Sequence, residues 1–194
     1  MTIRTCIKSF TLVISLTSSA AIFAQAMQVF GGEQSARNCF HAATVAAQLH
    51  NASTDDIKEC TFALDQTFLR MKDIVATLVN RGIIYVALEE YDLAIKDYDK
   101  AYRLNPNIAE VHVNRGNMLY MSRAFDQAIT EYTKAIDMDF SKLYIALYNR
   151  GLTYEKLGQM DKAEADYRRA LVLMPQWYRA QSKLDRLLNQ TKKS

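Results

Sequence analysis

The chain has 194 residues, 49% of them apolar, with only two prolines and six glycines. That composition excludes a disordered chain, argues against a turn-rich all-β fold, and leaves length enough for one domain with a real core. Lysine and arginine number 24 against 21 aspartates and glutamates, a near balance that gives no reason to expect nucleic acid or an anionic membrane as partner.

Residues 1–26 read as an export signal. Arg4 and Lys8 form a short basic region, Phe10 to Phe23 an apolar stretch, and Ala24-Gln25-Ala26 puts small residues where a signal peptidase needs them. Cleavage after Ala26 leaves 22 basic residues against 21 acidic ones. An uncleaved anchor is the competing reading, but the apolar run is shorter than the ~20 residues a spanning helix needs, so no membrane insertion is expected after cleavage. Cys6 lies before the apolar run and does not look like a lipid attachment site. The brevity of the signal points to a bacterial periplasm. Secretion is the alternative, since Asn51-Ala52-Ser53 would be a glycosylation acceptor in a eukaryotic route.

Loss of Cys6 leaves an even pair, Cys39 and Cys60. In an oxidising compartment a structural disulfide is favoured over free or metal-binding thiols. With only His41 and His50 nearby, zinc would have to borrow uncommon ligands. No metal and no cofactor are expected.

From Val75 onward the sequence repeats. Asn80-Arg81-Gly82 recurs as Asn114-Arg115-Gly116 and Asn149-Arg150-Gly151. Three residues after each glycine come Tyr85, Leu119 and Tyr154, and twelve after it come Ala94, Ala128 and Ala163. Tyr98, Tyr132 and Tyr167 follow, then Ala101, Ala135 and Ala170, and the units close at Pro106, Phe140 and Pro175. Each unit holds two apolar-periodic segments of helical length, such as Ile74 to Leu88 and Tyr91 to Leu104. Glycine costs a helix interior ~1 kcal/mol, so its recurrence requires a gain. Alanine facing glycine lets two helix axes approach, with tyrosines filling the space beside them. Asp92, Asp126 and Asp161 suit the positive end of each second helix, and Asn105-Pro106 stops the first unit.

The pattern resembles the tetratricopeptide repeat, in which G-x2-Y, A-x3-F and P recur at a 34-residue period. Two departures stand out: Leu78, His112 and Leu147 occupy the place of the opening tryptophan, and Phe140 replaces a closing proline. The resemblance implies an all-α, right-handed α-solenoid of helix-turn-helix hairpins. In that frame residues 27–34 form a linker, 35–74 a degenerate hairpin, 75–108, 109–143 and 144–177 three repeats, 178–190 a capping helix with packing continuous from about 176, and 191–194 a tail. Asp56 to Ala63 aligns with Ala94 to Ala101, placing Cys60 in the aromatic position of the second helix. Cys39 then falls near the start of a first helix within Ala36 to Leu49, where an antiparallel partner brings the sulfurs within reach. A loop of this length, once closed, would stabilise by ~3 kcal/mol in the chain-entropy model. Hairpins of this size bury their faces only by stacking. The last helix, with Trp177, Leu184, Leu187 and Leu188 apolar and Arg179, Lys183 and Arg186 on its wet side, reads as the cap.

Asn80, Asn114 and Asn149 are the sharpest functional signal, because asparagine is a poor helix-interior residue and recurs in every unit. Two residues before the glycine, it lies about 200° around the helix axis, away from the hairpin partner. The resemblance makes that side a groove for an extended peptide, with the three amides as a ladder for its C=O and N–H groups. Val79, Ile83, Val113, Asn117, Tyr120, Tyr148 and Leu152 are expected to line it. A purely structural ladder, bonded to its own neighbours, stays open as the other reading. The lining is too apolar for the basic clamp with which some family members hold a carboxylate terminus. Arg81, Arg115 and Arg150 each meet an acid sixteen residues on, namely Asp97, Glu131 and Asp166. These are expected to be surface ion pairs contributing only ~0–1 kcal/mol.

No phosphate loop, HExxH, GxSxG or metal-ligand cluster occurs, so a binding protein is expected rather than an enzyme. Its partner would be a protein or peptide held in the ladder groove. Docking through the outer helices or caps of an envelope complex is the second reading, and self-assembly into a homo-oligomer through the ends is the third.

Overall fold

A computed structural model describes residues 34–65, 69–138, 140 and 142–191. The expected signal, most of the linker and most of the tail lie outside the described residues. Within them the chain forms nine helices and no strand. These are α1 (Gln34–Leu49), α2 (Thr54–Asp65), α3 (Met71–Ala87), α4 (Tyr91–Leu104), α5 (Ala109–Met121), α6 (Phe125–Asp137), α7 (Leu143–Lys156), α8 (Met160–Leu173) and α9 (Tyr178–Thr191). Consecutive helices pair as antiparallel hairpins, each packed on the next, and α9 closes the stack against α8.

Local chemistry sets the boundaries. Ser53 opens α2 with a reciprocal cap: its backbone N–H and hydroxyl donate to Asp56 Oδ2 at 2.7 and 2.9 Å, and the Asp56 N–H donates to Ser53 Oγ at 3.3 Å. Asn105 Oδ1 accepts from the Asn107 N–H at 3.1 Å, turning the chain where Pro106 cannot extend α4. The turns inside the three repeat hairpins share one design. Glu89, Arg123 and Gly158 adopt φ of 62°, 63° and 71°. The next residue's N–H closes back on Tyr85, Leu119 or Tyr154 at 2.8–2.9 Å, a left-handed helix stop. Only the third of these turns uses the residue that adopts this conformation without strain.

Each hairpin is held by one close contact. Tyr98, Tyr132 and Tyr167 are essentially fully buried, and each ring lies over the glycine of its own unit, Gly82, Gly116 and Gly151. Ala94, Ala101, Ala128, Ala135, Ala163 and Ala170 supply the small surface beside them. The expected glycine-against-alanine approach therefore carries a tyrosine ring directly on the glycine.

At the front, α1 runs along both α2 and α3, presenting Ala36, Cys39, Ala43 and Ala46 to the core. The Cys39 and Cys60 Sγ atoms stand 2.06 Å apart, with Cα atoms 4.8 Å apart. Trp177, just before α9, packs on Tyr144 and Tyr148 with ring centroids 5.0 and 4.7 Å away. No described helix is long and apolar enough to cross a membrane.

Candidate functional site

The cross-hairpin pairs are stronger than surface pairs. Arg150 grips Asp166 through Nε and Nη2 at 2.8 and 2.9 Å and donates Nη1 to Thr133 in the preceding hairpin at 2.8 Å. Arg81 does the same with Asp97 and Thr61. Both carboxylates are buried, which corrects the expectation of solvent-exposed pairs. The reason is position: the guanidinium lies at the seam between two hairpins, where the next unit covers it.

The middle unit departs from this scheme. Arg115 turns to Asp99 of the preceding hairpin, leaving its Nε 3.5 Å from Glu131. Glu131 instead accepts from His112 Nδ1 at 2.8 Å and Lys134 Nζ at 2.7 Å. An ionised carboxylate can only accept, so Nδ1 carries the proton. Burial raises the Glu131 pKa, but the hydrogen bonds from His112 and Lys134 and the charge of Arg115 outweigh it and bring the group from 4.5 down to about 2. A carboxylate depressed in the folded state stabilises above its ordinary pKa and loses that contribution as pH falls through the folded value. The urea midpoint should therefore drop between about pH 5 and about pH 2, with roughly 3 kcal/mol riding on this group. Glu131→Gln should flatten that part of the profile.

The ten residues expected to line a peptide groove are all buried, none more than 6% exposed. They do not make one open face. Val79 and Ile83 pack into the core that α1 closes, and Val113 packs with Ala146 and Leu147. Tyr148 and Leu152 lie under the cap. The direction inferred for the asparagines leads away from the hairpin partner, but toward neighbouring first helices rather than solvent. Asn149 Nδ2 donates to Asn117 Oδ1 at 2.8 Å, and Asn114 Nδ2 donates to the Glu110 carbonyl at 2.9 Å. Asn80 is fully buried. The open ladder is thus corrected to a set of interior amides.

Three of the ten, Ile83, Asn114 and Asn117, do meet at one concavity of about 350 Å³, counting its open mouth. Val86, Ala87 and Met121 continue its walls from α3 and α5, Tyr98 reaches it from α4, and α1 supplies Ala46 and Ala47, with His50 just beyond its end. The repeat pattern carries no signal for this α1 wall, because α1 and α2 have lost most of the repeat residues. No group of three or more possible metal ligands occurs among the described residues.

Fold and site together define a helical-repeat solenoid with an open-mouthed pocket at one joint of its stack. The tetratricopeptide repeat model matches residues 75–108 and 144–176, which are the first and third of these repeat hairpins. The middle hairpin, with His112 and Phe140 at two marker positions, is not matched by the model but stacks between them. Among solved structures, the chain is 29% identical to the Arabidopsis OM64 TPR domain, with a TM-score of 0.56 over 62% of this chain and 99% of that one. It is 26% identical to the first TPR of Spaghetti (RPAP3) bound to the HSP90 peptide SRMEEVD, with a TM-score of 0.56 over 62% and 94%. MamA shares the fold at 24% identity and a TM-score of 0.58, over 71% of this chain and 77% of MamA. No curated protein matches the sequence.

Proposed function

We propose that this chain is an exported, non-catalytic scaffold that takes an extended segment of a partner protein into the inner groove of its helical stack. The observation that carries this reading is the pocket between α1, α3 and α5, where apolar walls surround the amides of Asn114 and Asn117. A cleft of that composition suits a peptide, whose side chains are placed by shape and whose backbone is held by a few fixed polar groups. The likeness to a structure bound to the peptide SRMEEVD supports the reading at the level of class. Export rests on residues 1–26 and on the Cys39–Cys60 pair, whose spacing suits an oxidising compartment such as the periplasm or the exterior.

Self-assembly through the capped end has its own observation: Val172 and Tyr178 are 79% and 80% exposed. Photo-crosslinking in the native cell separates the readings. A crosslinker at Met121, on the pocket rim, should capture a partner protein, whereas one at Lys100, exposed on α4, should not. Capture from Lys100 alone would favour docking through the outer helices. Capture of a second copy from Tyr178 alone would favour self-assembly.

A further inference from the structure

We infer that the pocket walled by α1 is a side-chain subsite that takes one aliphatic side chain of an extended, internal peptide segment, with Asn117 Nδ2 donating to a carbonyl of the same segment. This rests on the groove reading above and names the chemistry of one place in it. Without α1 the joint between α3 and α5 would be an open channel. Ala46 and Ala47 close it on one side, and their size leaves room that a larger residue would fill. Ile83, Val86, Ala87 and Met121 make most of the remaining wall apolar, with His50, Tyr98, Asn114 and Asn117 supplying its polar part, so desolvation favours a hydrocarbon occupant against the apolar side.

Two polar groups give the pocket a direction. Asn117 is more than nine-tenths buried. Its Oδ1 is fully engaged, accepting from Tyr132 Oη at 2.9 Å and Asn149 Nδ2 at 2.8 Å, while its Nδ2 has no partner among the described residues. A buried N–H without an acceptor is unfavourable and marks a place where a ligand carbonyl would be held. Tyr98 is the second group. Tyr132 donates to Asn117, the residue after Gly116. The corresponding residue after Gly82 is Ile83, whose side chain cannot accept, and Tyr98 is itself part of the pocket lining.

Charge narrows the ligand. Neither lysine nor arginine lines the pocket, so an entering carboxylate would meet no permanent cation. The acidic peptide SRMEEVD seen with the Spaghetti domain is therefore a poor model for the occupant.

Panning a phage library of random twelve-residue peptides against the full chain, followed by fluorescence anisotropy with one enriched peptide, tests this. Enriched peptides should share Leu, Ile or Met at one position. Ala87→Leu, which fills the mouth from a half-buried site, should weaken binding by roughly tenfold to a hundredfold. Asn117→Asp keeps the acceptor for Tyr132 and Asn149 while removing the donor, and should weaken binding about tenfold. Circular dichroism of each variant shows whether the helices are retained. If Ala87→Leu acts and a folded Asn117→Asp binds normally, the donor role falls. Enriched peptides that lack an aliphatic position, or that bind Ala87→Leu unchanged, overturn the subsite and leave the groove reading standing. No enrichment at all overturns the groove reading, and the subsite with it.

Discussion

Arg150→Ala should destabilise the protein by about 3–5 kcal/mol, because it strands the buried carboxylate of Asp166 without its counter-charge. The pair is bidentate, with Asp166 side-chain exposure of only 4%, and the same guanidinium ties α7 to Thr133 of α6. One substitution thus loosens a hairpin and the joint to its neighbour. Chemical denaturation followed by far-ultraviolet circular dichroism reads the loss directly. Replacing both partners by apolar residues of similar size, Arg150→Met with Asp166→Leu, should recover much of it, since no lone charge is left inside. Arg115 is the internal control. Its main partner, Asp99, is 41% exposed, and Glu131 keeps His112 and Lys134 when Arg115 is removed. Arg115→Ala should therefore cost only about 1 kcal/mol or less. Equal losses at Arg115 and Arg150 would show that burial of the acid is not what sets the effect.

The contrast between these two arginines also marks what could be read from sequence. The sixteen-residue spacing places an acid opposite each arginine, and all three acids do lie across the hairpin. What spacing cannot give is the third group at each seam. Thr61 and Thr133 let Arg81 and Arg150 stay on their own acids, whereas Asp99 at the matching place in α4 draws Arg115 away. The helices themselves were legible because glycine, alanine and tyrosine must recur where two axes approach. α4 runs from Tyr91 to Leu104 as its periodicity implies.

The candidate site was less legible, for a geometric reason. Helical periodicity tells which side of a helix faces away from its hairpin partner, but not whether a neighbouring helix covers that side. For Asn149 the cover is Asn117 of α5. For Ile83 it includes α1, whose alanines allow a closer approach than the degenerate sequence reveals. Ile83, Asn114 and Asn117, which the repeat frame puts on the side away from the hairpin partner, share one concavity. Ala46, Ala47 and Tyr98 were missed: the first two carry no polar signal, and Tyr98 reads as core until the missing acceptor at Ile83 is noticed.

Tyr132→Ala should cost about 3–5 kcal/mol, the range for emptying a buried aromatic site. The ring is completely buried and its hydroxyl is spent on Asn117. Tyr132→Phe, which removes only that bond, should cost about 1 kcal/mol. The glycine beneath the ring supplies the stricter test. A Cβ on Gly116 would lie 2.5 Å from Tyr132 Cε1, and a fully buried ring has nowhere to retreat. Overpacking of this kind costs about 1–3 kcal/mol, partly offset by the ~1 kcal/mol that alanine gains over glycine in a helix. The same substitution made in a Tyr132→Ala background meets no ring. Gly116→Ala should then turn neutral or stabilising, so that the double variant is more stable than the two single losses added together. Strict additivity would mean that the backbone moves to admit the methyl group, and that the close approach is not what requires glycine. At Gly151 the corresponding distance is 2.7 Å, so Gly151→Ala should follow the same logic with a smaller loss. That ordering, read from one unit to the next, would show that the ring above each glycine sets how close the two helices of a hairpin can come.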